Sequence, residues 1–213
     1  IARLIEDGST LQVGLDAASQ ATVHALSQKN DLGFHSQYLT DDIMHLYAVG
    51  VITNRRKGFN DGKLVASAAI GTRNLYEFLH DNPGVDFRPS DYVNDPFVIS
   101  QHNRMISMNV AHTMDLTGQT AAEASEHTFF AGVSGIPVFV RGAKRSRGGK
   151  SILMLYSTSR DGKRSNIVPA LNGPAVVVPR GDVHYVVTEY GAVNLAGKSL
   201  QERVLAMIGI AHP

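Results

Sequence analysis

The sequence predicts a mixed α/β fold in which helices cover a mainly parallel sheet. Short apolar strand patterns alternate with helix patterns over the first 80 residues, as they do in βαβ units. Several strand candidates end in glycine-containing turns, where α/β sheets bind their ligands. Strand patterns dominate the second half, so we expect mixed pairing at one edge of the sheet.

The first half of the chain contains three strand and three helix patterns in alternation. Thr40 and Gly50 mark the start and end of the second helix, and Thr72 precedes the third, which Asn82-Pro83-Gly84 ends. The predicted elements are a strand at 10–14, a helix at 17–28, a strand at 32–36, a helix at 41–49, a strand at 63–70 and a helix at 73–80.

The second half of the chain is predicted to contain mostly strands, followed by one helix. The strand candidates are residues 105–109, 138–140, 151–156, 175–178 and 183–187. Ser199 is the predicted N-cap of a final helix that ends near Ile208. No internal repeat or low-complexity linker divides the sequence, so we expect residues 1–213 to form one domain.

Composition excludes several classes of protein. The chain has 20 basic and 19 acidic residues, so its charge of +1 gives no general attraction for nucleic acid or an acidic membrane. No apolar run reaches the length of a membrane-spanning helix, and no cysteine is present for disulfides or thiolate metal sites. The nine histidines form no compact ligand motif, so we expect no metal. A cytoplasmic protein is the expectation.

Four segments carry candidate chemistry. Residues 14–16, 35–37 and 132–135 follow strands or form glycine turns whose backbone N–H groups can hold an oxyanion or phosphate. The basic stretch 141–150 can meet phosphates, and Glu189 follows a strand where a carboxylate can orient a ligand. Taken one at a time, each glycine segment favours a simple tight turn, and the basic stretch favours a solvated loop.

Ordered motifs along the whole chain carry a family resemblance. They are residues 5–12 (IEDGSTLQ), 31–35 (DLGFH), 50–54 (GVITN), 94–99 (NDPFVI), 115–119 (DLTGQ), 139–143 (FVRGA), 149–151 (GKS), 185–191 (YVVTEYG) and 210–213 (IAHP). The chain resembles the C-terminal half of the acetyl-CoA hydrolase/CoA-transferase family, which includes 4-hydroxybutyrate, acetate and butyrate CoA-transferases. The resemblance implies an open three-layer CoA-transferase-like (NagB/RpiA-like) fold.

The family resemblance implies a reaction through a glutamate. That residue attacks an acyl-CoA thioester, and a glutamyl-CoA thioester then passes CoA to a second carboxylic acid. Family members carry the glutamate after a His-Thr or His-Ser pair, where this chain has Gln37 after His35-Ser36. A neutral amide is a poor nucleophile. Gln37 is therefore an engineered block, a natural divergence, or a position whose role another carboxylate has taken over.

The resemblance assigns further positions. Gly135 closes the family's glycine loop and is expected to supply the oxyanion-hole N–H, although Ser134 replaces a glycine of that loop. Leu15 and Asp16 also depart from the usual Gly-Ile-Gly turn. The other residues expected near the reacting group or coenzyme A are Asn94, Asn109, Gly132, Ser134, Lys150 and a second glutamate, Glu189.

The sequence is compatible with three functions. The first is the catalytic half of a CoA-transferase, with coenzyme A and a small carboxylic acid as substrates. The others are an acyl-CoA hydrolase and a non-catalytic CoA-binding module, the last favoured by Gln37. The resemblance also implies an N-terminal partner half, a homo-oligomer and, in a eukaryote, the mitochondrial matrix. The absence of an initial Met suggests part of a longer protein.

Overall fold

The computed structural model describes residues 1–125 and 128–213. In these ranges a short 3-10 turn, Ala2–Leu4, precedes the first strand. The strands are β1 Thr10–Val13, β2 Gly33–Phe34, β3 Tyr38–Leu39, β4 Leu64–Ala66, β5 Ala68–Ala69, β6 Val85–Phe87, β7 Met105–Val110, β8 Thr113–Asp115, β9 Thr120–Ala121, β10 Ala124–Ser125, β11 Thr128–Phe129, β12 Lys150–Met154, β13 Ile167–Val168, β14 Tyr185–Thr188 and β15 Gly191–Asn194. The helices are α1 Ala17–His24, α2 Asp41–Ala48, α3 Arg73–Leu79, α4 Ser90–Val93, α5 Pro96–Ser100, α6 Ile136–Arg145 and α7 Leu200–Ile208.

A six-stranded sheet forms the centre, in the order β15-β14-β12-β7-β1-β2. Five of its strands are parallel, and β15 pairs antiparallel with β14 at one edge. This arrangement confirms the predicted α/β class, the mainly parallel sheet and the mixed edge. The carboxyl ends of the parallel strands therefore lie along one side of the sheet, which we call the carboxyl edge.

Side chains alternate across the sheet and pack helices on both faces. On one face, Leu11, Ile106 and Ile152 join a core cluster with residues that include Val23 and Ile43 near α1 and α2. On the other face, residues such as Leu153 pack in a cluster with Val140 of α6 and Met207 of α7. Helices thus sandwich the sheet in three layers, as predicted.

A polar stripe crosses the second face between β1 and β7. Gln12 and Asn109 exchange two hydrogen bonds between their carboxamides, of 3.0 and 2.9 Å. The Asn109 amide also donates to the Ser107 hydroxyl at 3.0 Å. All three side chains are buried, so this exchange satisfies groups that would otherwise be costly inside the protein.

Two predicted strands are wrong. Residues 138–140 belong to α6, because Pro137 suits a first helical turn and the helix buries Phe139, Val140 and Ala143 on one side. The apolar run was too short for its period to separate strand from helix. Residues 175–178 form no strand, and only Val178 pairs, in an isolated bridge with Thr120.

The final helix begins where the sequence predicts. The Ser199 hydroxyl accepts from the backbone N–H of Glu202, and the Glu202 carboxylate accepts from the backbone N–H of Ser199. This reciprocal capping box satisfies N–H groups at the helix start that lack partners within the helix. The predicted first helix, in contrast, ends at His24 rather than at residue 28.

Candidate active site

Gln37 lies just beyond the carboxyl end of β2, at the end of the carboxyl edge. Its backbone oxygen accepts from the N–H groups of Ser67 and Ala68, both at 3.0 Å, which holds the turn in place. The preceding Ser36 hydroxyl lies 3.4 Å from the backbone N and O of Val13 on β1. The half-buried Gln37 side chain extends from this anchored backbone.

Gly135 contacts the Gln37 side chain directly. A Cβ built on Gly135 would lie 2.7 Å from the Gln37 side-chain carbon Cδ and 2.9 Å from Oε1. Gly135 is the N-cap of α6, with φ −75°. The structure therefore brings together two predicted site residues that are far apart in the sequence, and a side chain at position 135 would have to displace the end of the Gln37 side chain.

The glycine turn before α6 is more open than its last residue. A Cβ built on Gly132 would meet nothing within 4 Å among the described residues, and Val133 is 98% exposed. The backbone N–H of Ser134 donates to the Glu123 carboxylate at 2.6 Å. Gly132 thus has open space around it, whereas Gly135 lies against the Gln37 side chain.

Two amide side chains were predicted near the reacting group, and they differ in their partners. Asn109 is committed to the Gln12 exchange on the sheet. Asn94, which follows α4, has a buried Oδ1 atom with no hydrogen-bond partner among the described residues. Of the two amides, Asn94 is therefore the one with an unpaired carboxamide oxygen, and that oxygen is buried.

A buried histidine pair lies behind Gln37. His35 Nε2 lies 2.9 Å from the backbone oxygen of Val93, which ties β2 to the residue before Asn94. The His35 and His102 rings are 4.4 Å apart, and both are fully buried. Burial lowers the pKa of His35 to about 4 and that of His102 to about 2. Both rings are therefore neutral at pH 7.

We expect the histidine pair to make folding stability fall as the pH drops from about 6.5 toward 4. The unfolded chain takes up protons at these residues in that range, whereas the folded chain does not, and stability then falls by up to about 1.4 kcal/mol per pH unit and histidine. Urea unfolding at pH 7, 6 and 5 measures this slope. His102→Asn should flatten it, and His80→Gln, at an exposed site, should not. Equal slopes in all three proteins would contradict this assignment.

Lys57 completes this buried polar region. Its amine donates to the backbone oxygens of Phe34 and Lys63, both at 2.8 Å, and the residue is fully buried. Burial lowers the pKa of Lys57 to about 7. The amine thus links β2, just before the Gln37 turn, to the start of β4.

Glu189 also lies at the carboxyl edge, directly after β14. Its carboxylate accepts from the Ser157 hydroxyl at 2.6 Å and from the Ser157 backbone N–H at 3.1 Å. Partial burial alone would raise the pKa of Glu189, but these hydrogen bonds outweigh it and lower the pKa below its ordinary value. Glu189 is therefore an oriented, ionised carboxylate at neutral pH.

A cavity of 810 Å³ runs along the carboxyl edge beside Glu189, and we call it the edge cavity. A smaller, mainly apolar cavity of 230 Å³ adjoins it at Tyr156 and Glu189. The edge cavity is lined by Ala17, His112, Thr113, Tyr156, Thr158, Ser159, Arg160, Arg164, Asn166 and Glu189. It therefore extends from the end of β1 to the end of β14.

Distance along the edge separates Glu189 from Gln37. Four strand-to-strand steps lie between β14 and β2, which is about 19 Å between strand axes. The edge cavity occupies the Glu189 end of this span, and neither Gln37 nor Gly135 is among its lining residues.

Lys150 lies apart from the other predicted site residues. It begins β12 at the amino end, four residues before Met154, or about 13 Å along the strand. Its amine donates to the Leu4 backbone oxygen at 2.9 Å and to the Glu6 carboxylate at 2.8 Å. The structure therefore does not bring Lys150 to the carboxyl edge.

The rest of the basic stretch is only in part the solvated loop that the sequence favoured, because its first half is helical. Arg141 and Lys144 lie on α6, where Arg141 pairs with Asp182 at 2.7 Å and Lys144 donates to the Gly181 backbone oxygen. The arginines that line the edge cavity instead come from residues 160–164, a segment that sequence reasoning passed over. Ser157, which orients Glu189, was missed as well, because no motif marks it.

The described residues give two further findings. No helix among them is long and apolar enough to cross a membrane. Within the same ranges, no group of three or more histidine, aspartate or glutamate side chains is placed to hold a metal ion.

The fold and this edge define an α/β protein that can bind a ligand at the carboxyl ends of a parallel sheet. The chain belongs to the acetyl-CoA hydrolase/transferase family, whose C-terminal domain model matches residues 71–213. The chain is 45% identical to the 4-hydroxybutyrate coenzyme A transferase of Clostridium kluyveri. The match covers 100% of this chain and 50% of that protein.

Another relative is named for different acids, and a solved structure matches as well. The succinyl-CoA:cyclohexane-1-carboxylate CoA transferase of Geobacter metallireducens is 41% identical over 100% of this chain and 49% of its own length. The crystal structure of RipA from Yersinia pestis matches with a TM-score of 0.94 and 42% identity, over 100% of this chain and 48% of that one. The chain thus spans about half the length of the relatives it matches.

Proposed function

We propose that this chain is the catalytic half of a CoA-transferase that moves coenzyme A between an acyl-CoA and a small carboxylic acid. The observation that carries the proposal is the contact between position 37 and Gly135 at the carboxyl edge. In the family, these two positions hold the nucleophile and the oxyanion-hole donor. The relatives, which are named as CoA-transferases, support the same reaction class.

The proposed reaction needs a carboxylate at position 37. The carboxylate attacks the thioester carbonyl, the C–S bond breaks, and CoA leaves as a thiolate with an acyl-glutamyl anhydride remaining. The thiolate then attacks the glutamyl carbonyl, which gives a glutamyl-CoA thioester and releases the first acid. A second acid reverses both steps and leaves as its CoA ester. The overall reaction consumes no water and changes no oxidation state.

The residues around position 37 would serve this sequence in distinct ways. The Gly135 N–H, at the start of α6, would stabilise the oxyanion that forms at each attack. The Asn94 carboxamide oxygen, which is buried and unpaired, would accept a hydrogen bond from a substrate group that reaches it. Glu189, ionised and held by Ser157, would orient CoA or the acid along the edge cavity.

The carboxamide of Gln37 also fits a second function, that of a non-catalytic CoA-binding module. The carboxamide occupies the space of a glutamate without its charge, so the chain would retain CoA binding while losing covalent exchange. An acyl-CoA hydrolase, in which water replaces the second acid, is the third alternative. The proposal also includes an N-terminal partner half and a homo-oligomer.

We expect the full-length protein to bind CoA even with Gln37, and Arg160→Ala to weaken that binding about tenfold. Arg160 lines the edge cavity, and a lost charge-assisted hydrogen bond to phosphate costs about 1–3 kcal/mol. Lys150→Ala is the matched comparison, because it removes a cation that lies at the other end of β12. Its CoA affinity should stay within about twofold of the parent.

Titration calorimetry at two salt concentrations measures both variants. If Lys150→Ala weakens CoA binding and Arg160→Ala leaves it unchanged, the residues that hold the phosphates lie in the 141–150 stretch instead. Absence of CoA binding by the parent protein would count against both the transferase and the binding module.

A further inference from the structure

A second cavity lies on the side of the sheet opposite the carboxyl edge. Its volume is 460 Å³, and it opens near the amino ends of β1, β7 and β12. Its lining residues are Glu6, Gly8, Arg56, Asn103, Arg104, Arg147 and Gly148. We call it the amino-edge cavity. Nothing in the proposed transfer reaction uses it.

Three segments far apart in the sequence are tied together at the amino-edge cavity. The Arg104 backbone N–H donates to the Arg147 backbone oxygen, and the Arg104 guanidinium donates to the Asp7 backbone oxygen, both at 2.9 Å. Arg104 has φ +47°, in the left-handed region that non-glycine residues seldom adopt. The chain thus holds this arginine in a sparsely populated conformation at the cavity wall.

Two glycines provide the surface on which the arginines lie. Gly8 and Gly148 have φ of +75° and +72°. A Cβ on Gly8 would lie 3.3 Å from Cδ and Nε of Arg56, and one on Gly148 would lie 3.3 Å from Cγ of Arg104. The arginine stems therefore occupy space that a side chain at either glycine would crowd.

The charge of this cavity is strongly positive. Three guanidinium groups line it, against one carboxylate, Glu6. The Glu6 carboxylate already accepts from the Lys150 amine at 2.8 Å and lies 3.8 Å from Arg104. The nearby Asp7 carboxylate accepts from Asn30. The carboxylates therefore leave a surplus of guanidinium donors facing the cavity.

We propose that the amino-edge cavity binds the diphosphate group of a small phosphorylated molecule. Guanidinium groups bind phosphate oxygens in a bidentate manner, and several of them can share the charge of one diphosphate. The cavity volume falls within the range of small-molecule sites. This site is separate from the proposed CoA-transfer site, since the two lie at opposite ends of the parallel strands.

Inorganic pyrophosphate is the probe. The full-length protein, with one equivalent of CoA per chain present to fill the phosphate site at the carboxyl edge, is titrated by calorimetry in moderate salt. One pyrophosphate per chain is the expected result. Arg56→Ala and Arg147→Ala should each weaken binding at least tenfold, and Arg56→Lys should recover only part of the loss because it lacks the fork of donors.

Arg73→Ala is the control, because Arg73 is an exposed arginine on α3 that pairs with Glu77. An equal loss in that variant would overturn the proposal, since it would indicate only general charge attraction. No binding by the parent at millimolar pyrophosphate would also overturn it, as would binding that CoA abolishes. Because CoA binding is measured first in the same sample, a failure of the proposed transferase function is recognised separately.

Discussion

Replacing Gln37 by glutamate is expected to raise CoA transfer by the full-length protein at least about 100-fold. A carboxylate can attack the thioester and a carboxamide cannot, and removing a covalent nucleophile typically costs far more than this factor. The two side chains have nearly the same shape. The substitution should therefore fit against Gly135 as Gln37 does, so the gain reports the chemistry of one group.

Exchange of a labelled carboxylic acid into acyl-CoA measures the rate. Hydroxylamine or borohydride should trap the intermediate on residue 37 of the Gln37→Glu protein, which peptide mass spectrometry locates. Gln37→Asp is the matched control, because it adds the charge but shortens the reach by one methylene. If the Gln37 protein already transfers CoA rapidly, and glutamate changes nothing, position 37 is not the nucleophile.

Gly135→Ala, made in the Gln37→Glu protein, is expected to lower turnover about 100- to 1000-fold, the cost of losing one oxyanion-hole donor. The Gly135 backbone has φ −75°, which alanine adopts easily, so no backbone strain intervenes. The added methyl group would instead overlap the side chain of residue 37 and push it from the N–H at the start of α6.

Gly132→Ala is the matched control for this substitution. It adds the same methyl group three residues away, where nothing described lies within 4 Å, so turnover should stay near that of the parent. Calorimetry should show CoA affinity changed far less than turnover in Gly135→Ala. Equal turnover in the two alanine variants, or loss of CoA binding alone in Gly135→Ala, would contradict the assigned role.

The central elements could be predicted from sequence because local and global signals agree there. β1 and β7 have apolar residues at alternate positions, Leu11 and Val13 in the first and Ile106 and Met108 in the second, and the Ser199–Glu202 box marks the start of α7. The strand predicted at 138–140 was wrong. β-branched residues in a short run favour a strand, but Pro137 and the packing against α5 favour a helix here.

The candidate site was predictable only where a motif carries it. Positions 37, 135 and 189 followed from the family resemblance, and the structure adds the contact between the first two. Ser157 could not be found, because it meets Glu189 across 32 residues and no motif links them. The prediction for the basic stretch was wrong because α6 and the start of β12 carry its cations away from the carboxyl edge, with Arg147 at the amino-edge cavity and Lys150 at the amino end of β12.

The pairing of β1 with β7 has a consequence for how the protein is made. Gln12 meets Asn109 across 97 residues, so the sheet cannot gain its central pair until that much more chain has left the ribosome. At about 5–20 residues per second, this takes about 5–20 s. Throughout that interval β1 can pair only with β2, which follows it closely in the chain, and the side of β1 that β7 later covers stays open to a chaperone.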